Sequence, residues 1–115
     1  MAILEREVTG AVMHLRMNAP ERLNALSDEM IAALHGALDE VAEDRSVRAV
    51  VLSGAGKAFC AGHDLKQMTA GRQNADGGAA YFKDLFDRCG AMMARIQSLT
   101  QPVLAQVHGT AQAPR

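Results

Sequence analysis

Two short aliphatic runs, residues 48–53 and 103–107, constrain the fold of this chain more than any other feature. The first run is bounded by Gly54 and Gly56, and the second follows Pro102. Short apolar runs that are rich in β-branched residues predict strands buried on both faces, which are typical of parallel sheets. The sequence therefore predicts a parallel sheet within an α/β fold.

The first part of the chain is predicted to form a β-hairpin and then a helix. Residues 3–8 and 11–17 are β-prone, and the Thr-Gly dipeptide between them permits the positive φ of a tight turn. Residues 18–22 contain a proline that breaks this pattern, which indicates a loop. Ser27 suits an N-cap, and apolar residues follow it at helical spacing, so a helix is predicted over residues 27–43.

An apolar stripe with offsets of three and four, from Phe82 to Leu99, predicts a second long helix. The small and polar residues 71–78 ahead of it are predicted to form a mobile surface loop. The element order is therefore β-β-α-β-loop-α-β. Cys60 and Cys89 have neither metal-ligand spacing nor a secreted context, so both are interpreted as packing residues.

Composition excludes several classes of protein. With 115 residues, of which 49% are hydrophobic and 22% are charged, the chain suits one small globular domain. A net charge of −1, with the basic residues spread along the chain, disfavours nucleic acid and anionic membranes as partners. No apolar run approaches the roughly 20 residues that cross a bilayer, and the first residues do not resemble a signal peptide, so a cytoplasmic protein is expected. A domain of this size leaves much surface exposed, so its sheet is expected to need further chain or a partner subunit to cover it.

The segment of residues 54–66 follows the first aliphatic run, where α/β proteins bind ligands. Ala61 and Gly62 are small enough to let a ligand approach the backbone closely. A helix that begins near Asp64 would leave amide groups pointing outward as donors in need of an acceptor. Glycine-containing turns of this kind also occur for purely structural reasons, so both interpretations stay open on the residues alone.

Four blocks of the sequence resemble, in order, the front half of the crotonase or enoyl-CoA hydratase/isomerase family, closest in character to its enoyl-CoA hydratase domain-containing branch. They are residues 18–26 (Asn-Ala-Pro-Glu-Arg-Leu-Asn-Ala-Leu), 47–54 (Val-Arg-Ala-Val-Val-Leu-Ser-Gly), 58–65 (Ala-Phe-Cys-Ala-Gly-His-Asp-Leu) and 101–111 (Gln-Pro-Val-Leu-Ala-Gln-Val-His-Gly-Thr-Ala). The resemblance implies a truncated crotonase (ClpP-like) spiral of β-β-α units, of which residues 1–115 form the amino-terminal half.

The resemblance also implies a site for acyl-CoA thioesters. Family members stabilise an enolate by donating two backbone N–H groups to the thioester oxygen, which together form an oxyanion hole. The matching position for the first donor is the N–H of His63, whose imidazole is either packed or reaches the pocket. Asp64 is expected to cap the following helix rather than to transfer a proton. The substrate- and CoA-binding residues that the resemblance implies are Arg22, Leu23, Ala25, Ala61, Gly62, His63, Asp64, Leu65 and Lys66.

Several expectations follow about ligands and partners. Arg22 and Lys66 either meet the CoA phosphates or are only solvated. No metal and no separate cofactor are expected, because coenzyme A enters as part of the substrate. The full-length family implies a homo-oligomer, a trimer or a hexamer.

The last residues, Ala113, Pro114 and Arg115, depart from the family pattern. Pro114 falls at the position of the second donor, and proline has no backbone N–H. The two glutamates that serve hydratases as general acid and base lie beyond this point in the family. We therefore expect an acyl-CoA-binding fragment, truncated before the acid/base residues, with weak or no activity. The alternative is a non-catalytic assembly module that docks on full-length subunits of the family.

Overall fold

A four-stranded sheet packs one face against two long helices. The computed structural model of the chain describes residues 2–111, apart from the side chain of Thr110. In chain order its elements are β1 (Leu4–Thr9), β2 (Val12–Met17), a 3-10 turn (Pro20–Arg22), α1 (Asp28–Glu43), β3 (Ala49–Gly54), β4 (Ala58–Cys60), α2 (Leu65–Gly71), α3 (Ala79–Ser98), β5 (Val103–Ala105) and β6 (Thr110–Ala111).

The larger sheet has the strand order β1-β2-β3-β5. β1 and β2 form an antiparallel hairpin, whereas β2 pairs with β3, and β3 with β5, in parallel. The predicted hairpin and the predicted parallel sheet are therefore confirmed. β4 and β6 form a second, parallel pair that was not predicted, because strands of three and two residues are too short to show a periodic pattern.

One apolar core lies between the inner face of the larger sheet and the helices α1 and α3. Ser27 caps α1 as predicted, since its hydroxyl accepts the N–H of Met30 at 3.1 Å. α3 begins at Ala79, slightly ahead of the stripe that predicted it. The largest fully buried apolar side chains of the core are Leu15, Met17, Met30, Ile31, Val41, Val50, Leu85 and Met92.

The two cysteines belong to this core. Cys60 and Cys89 are buried free thiols, and Cys89 packs from α3 in the same core cluster as Met92. Burial raises the pKa of both thiols and so favours their neutral form. The interpretation of both cysteines as packing residues is confirmed.

The predicted burial of the two aliphatic runs on both faces is wrong for the described residues. In β3 only Val50 is fully buried. In β5, Leu104 is 58% exposed, and Val107 lies past the end of the strand and is 56% exposed. Leu104 pairs with Val51 on the face turned away from the core, and β5 is the last strand of the described sheet. Apolar composition alone therefore does not decide burial here, because burial also requires something to pack on that face.

Residues 72–78 form a series of turns between α2 and α3, which confirms the predicted surface loop except at Gly71, a buried residue at the end of α2. The mobility predicted for this loop stays a prediction. The Asp76 carboxylate accepts the N–H groups of Gly78 at 2.9 Å and of Ala80 at 3.0 Å. These bonds lower the pKa of Asp76, because they stabilise its charged form. The Asp76 carboxylate thus pairs two backbone N–H groups at the start of α3.

Gln101, just before β5, closes the far end of the core. Its side chain is buried, and its amide donates to the carbonyl oxygens of Val41 at 2.9 Å and of Val47 at 3.1 Å. Those carbonyl groups lie at the end of α1 and at the turn into β3. The Val41 oxygen also accepts the Asp44 N–H at 3.0 Å, so the glutamine adds a second hydrogen bond there and joins the end of α1 to the turn into β3.

Candidate functional site

Two loops meet where β4 ends. The Ala61 N–H donates to the Leu23 carbonyl oxygen at 3.0 Å, and the Leu26 N–H donates to the Gly62 carbonyl oxygen at 2.6 Å. An isolated parallel bridge joins Leu26 to His63. Two segments that are far apart in the sequence, and that both contain predicted contact residues, are thus held side by side.

Asn24 holds this junction together and was missed as a site residue. Its side chain is fully buried and its backbone has a positive φ of 53°. The side-chain oxygen accepts the Ala19 N–H at 2.8 Å, while the amide nitrogen donates to the carbonyl oxygens of Ala55 and Ala58, each at 2.9 Å. A single side chain therefore connects the loop after β2 to both ends of the turn that leads into β4.

Asp64 caps α2, which confirms the structural role expected for it. Its carboxylate accepts the N–H groups of Lys66 at 3.0 Å and of Gln67 at 3.2 Å. The expectation that amides at this helix start would seek an outside acceptor is therefore wrong for these two groups. Arg22 approaches the same carboxylate, with its Nη1 3.8 Å from Asp64 Oδ2, so a cation from the first loop reaches the start of α2.

The remaining predicted contact residues differ in exposure. Leu23 is 40% exposed and Leu65 is 75% exposed, so both offer apolar surface next to the junction. The Lys66 side chain is also exposed. Ala25 is buried, so its methyl group packs inside the junction rather than on its surface.

Gly62 is buried and has a φ of 91°, a conformation that side chains rarely adopt. It allows the backbone to turn sharply between Ala61 and His63. The half-buried imidazole of His63 packs edge to face against Phe86 of α3, with ring centroids 5.7 Å apart and an interplanar angle of 69°. This contact favours the packed interpretation of the imidazole, and it adds Phe86 to the residues at the site.

β6 pairs with β4, so the segment after β5 lies beside the strand that leads to the junction. Cys60 pairs with Ala111, and the Phe59 N–H donates to the His108 carbonyl oxygen at 3.1 Å. Gly109 has a φ of 57°, and a Cβ there would overlap a backbone carbonyl oxygen of the neighbouring segment, so glycine is required. Ala113, Pro114 and Arg115, and with them the expected loss of the second donor, lie outside the described residues.

Residues 2–111 contain neither a cluster of metal-ligating side chains nor a helix that could span a membrane. No group of three or more His, Cys, Asp or Glu side chains in this part of the chain is arranged to hold a metal ion. None of the helices described is both long enough and apolar enough to cross a membrane.

A family model described as enoyl-CoA hydratase/isomerase matches residues 12–111. The chain belongs to this family. Enoyl-CoA hydratase domain-containing protein 3 of Xenopus laevis, a mitochondrial protein, is 33% identical over 98% of the chain and 36% of its own length. The 1,2-epoxyphenylacetyl-CoA isomerase of Escherichia coli is 37% identical over 96% of the chain and 42% of its own length.

Solved structures of the family agree with the fold. An enoyl-CoA hydratase from Mycobacterium smegmatis superposes with a TM-score of 0.85 at 48% identity, over 93% of the chain and 40% of that protein. Pseudomonas aeruginosa AtuE superposes with a TM-score of 0.87 at 36% identity, over 94% of the chain and 41% of that protein. The predicted α/β crotonase fold is confirmed, and the chain spans about two fifths of the relatives that it matches.

Replacing Asn24 by alanine is expected to lower the free energy of unfolding by at least about 2 kcal/mol, because buried backbone groups lose their partners. Asn24→Gly should lower the free energy of unfolding less than Asn24→Ala does, since glycine adopts the positive φ more readily than alanine. Urea denaturation measures both changes. Asn18→Ala is the control, because that side chain makes one exposed hydrogen bond, to the Ala2 carbonyl oxygen. A loss for Asn24→Ala no larger than for this control would contradict the proposed role.

Removing the Asp64 carboxylate should loosen the start of α2 selectively. Asp64→Ala is expected to cost about 1 kcal/mol and to accelerate amide exchange at Lys66 and Gln67, whereas Asp64→Asn keeps an acceptor and should exchange slowly. Amide hydrogen exchange followed by NMR measures this.

The matched control is Asp76→Ala, which removes a carboxylate that bonds to Gly78 and Ala80 instead. It should accelerate exchange at those two residues only. If Asp64→Ala left exchange at Lys66 and Gln67 unchanged, the capping role of Asp64 would be refuted.

Proposed function

We propose that this chain supplies the CoA-binding junction and the first oxyanion-hole donor, the N–H of His63, of a site for acyl-CoA thioesters. The parental reaction would be the hydration or isomerisation of a 2-enoyl-CoA. The observation that carries the proposal is the hydrogen-bonded meeting of the loop around Leu23 with Ala61 and Gly62 at the end of β4. Family membership supports it, because the relatives' names denote hydratases and an isomerase of CoA thioesters.

The chemistry requires a rigid donor at this point. Negative charge develops on the thioester oxygen as the enolate forms, and a preorganised N–H stabilises that charge without rearranging at the barrier. Loss of one such donor typically costs ~3 kcal/mol in the transition state. The buried Gly62 and the Asn24 hydrogen bonds support this role, because they fix the backbone on which the donor depends.

The rest of the junction suits coenzyme A. Arg22 and Lys66 are exposed cations, and we assign them to the CoA phosphates. Leu23 and Leu65 offer exposed apolar surface for the pantetheine chain. In this proposal Ala61 and Gly62 let the thioester approach the backbone, while Ala25 and Asp64 keep the two loops in place.

For the chain by itself we propose binding with little or no turnover. The general acid and base of hydratases fall outside the segments that the chain resembles, and the chain spans 36% to 42% of the curated relatives described above. Assembly into a homo-oligomer is part of the same proposal. The alternative of a non-catalytic assembly module gains no support from the relatives, whose names are those of hydratases and isomerases.

An amide-to-ester replacement at residue 63 tests the donor directly. The α-hydroxy acid counterpart of histidine keeps the side chain and removes only the backbone N–H. Crotonyl-CoA labelled with ¹³C at the thioester carbonyl should show a lowered C=O stretching frequency when bound to the unmodified chain, because a hydrogen bond weakens that double bond. The ester variant should lose this shift and bind roughly three- to tenfold more weakly.

His63→Ala is the matched control, because it removes the imidazole and keeps the N–H. The lowered frequency should persist in this variant. A frequency shift that survives the ester replacement, or the absence of any binding of crotonyl-CoA to the unmodified chain, would refute the proposed function.

A further inference from the structure

A row of aromatic rings leads from α3 to the candidate donor. The chain has only three phenylalanines and one tyrosine. Three of these four side chains, Tyr81, Phe82 and Phe86, lie within the first turns of α3. Neighbouring ring centroids are 5.5 Å apart for Tyr81 and Phe82 and 6.2 Å apart for Phe82 and Phe86, and the row continues to His63 at 5.7 Å. All three distances lie in the range at which aromatic rings attract each other.

The two ends of this row differ in their surroundings. At one end Tyr81 lies against Gly71, where a Cβ would overlap its ring, and its hydroxyl is buried. At the other end Phe86 is 44% exposed and lies outside the core cluster against which Tyr81 and Phe82 pack. The packed end anchors the row, and the accessible end is the ring that touches His63.

The Phe86 ring lies close to where the acyl group of a bound thioester is expected. A thioester oxygen that accepts the His63 N–H lies about 3 Å from that nitrogen. The acyl carbons are bonded to the same carbonyl carbon, so the first atoms of the acyl group must lie within a few ångströms of residue 63. The Phe86 ring of α3 contacts His63 and is partly exposed, so it offers apolar surface beside the expected position of the acyl group.

On the basis of the proposed function, we infer that Phe86 is a specificity residue that selects acyl groups ending in an aromatic ring. The geometry that carries this inference is the edge-to-face contact of Phe86 with His63 at the accessible end of the row. An aromatic acyl group extends the row by one more ring in an offset or edge-to-face arrangement. A saturated six-membered ring buries similar area, but it is puckered and lacks the complementary charge distribution of a π system.

Isothermal titration calorimetry with three ligands tests this inference on the chain itself. Phenylacetyl-CoA and cyclohexylacetyl-CoA have the same carbon skeleton and differ in whether the ring is aromatic and flat or saturated and puckered. Free CoA measures the affinity of the junction without an acyl group. The unmodified chain should bind phenylacetyl-CoA roughly two- to tenfold more tightly than cyclohexylacetyl-CoA. Phe86→Leu should abolish that preference, and Phe86→Tyr, which keeps the ring, should retain it.

Leu104→Ala is the control, because Leu104 is an exposed apolar side chain on β5, on the other face of the sheet. It should leave all affinities unchanged, and circular dichroism verifies that each variant is folded. Equal affinity for the two thioesters, or a preference that survives Phe86→Leu, would overturn the inference while leaving the proposed function intact. Failure of CoA and of both thioesters to bind would overturn the proposed function and the inference with it.

Discussion

The buried side-chain amide of Asn24 is the interaction on which the candidate site depends. Its oxygen accepts the Ala19 N–H, and its nitrogen donates to the carbonyl oxygens of Ala55 and Ala58. Hydrogen bonds of this kind are strong in a buried setting and costly to leave unmade. Because Ala58 opens the strand that leads to His63, this amide fixes where the candidate donor lies relative to the loop that is expected to meet coenzyme A.

The helices hold the rest of the site around this junction. Gln67 of α2 accepts the backbone N–H of Asp28 at 2.9 Å, so α2 is attached to the start of α1. Arg88 of α3 pairs with the Asp28 carboxylate at 2.9 Å. Ion pairs as exposed as this one contribute little stability. Together with the core packing, this pair places α3 beside the turn that contains Gly62 and His63. The position of Phe86 next to His63 follows from that arrangement.

The sequence predicted the features that depend on local signals. The N-cap at Ser27 and the apolar stripes predicted α1 and α3, and the Thr-Gly dipeptide between two β-prone runs predicted the hairpin. β4 and β6 were missed because their pairing joins Cys60 to Ala111, far apart in the chain and without a periodic pattern. The role of Asn24 was missed for a similar reason, since two of its partners lie more than 30 residues away. The prediction that Leu104 is buried was wrong, because composition indicates which side chains favour burial but not which element covers them.

The central claim is that an acyl-CoA binds at the junction of the two loops. Titrating ¹⁵N-labelled chain with crotonyl-CoA and following the amide resonances by NMR tests it most directly. The account predicts that the largest shifts occur at Leu23, Gly62 and His63, while Glu7 and His14 on the outer face of the sheet stay unchanged. Shifts centred on that outer face, or spread evenly over the chain, would contradict it.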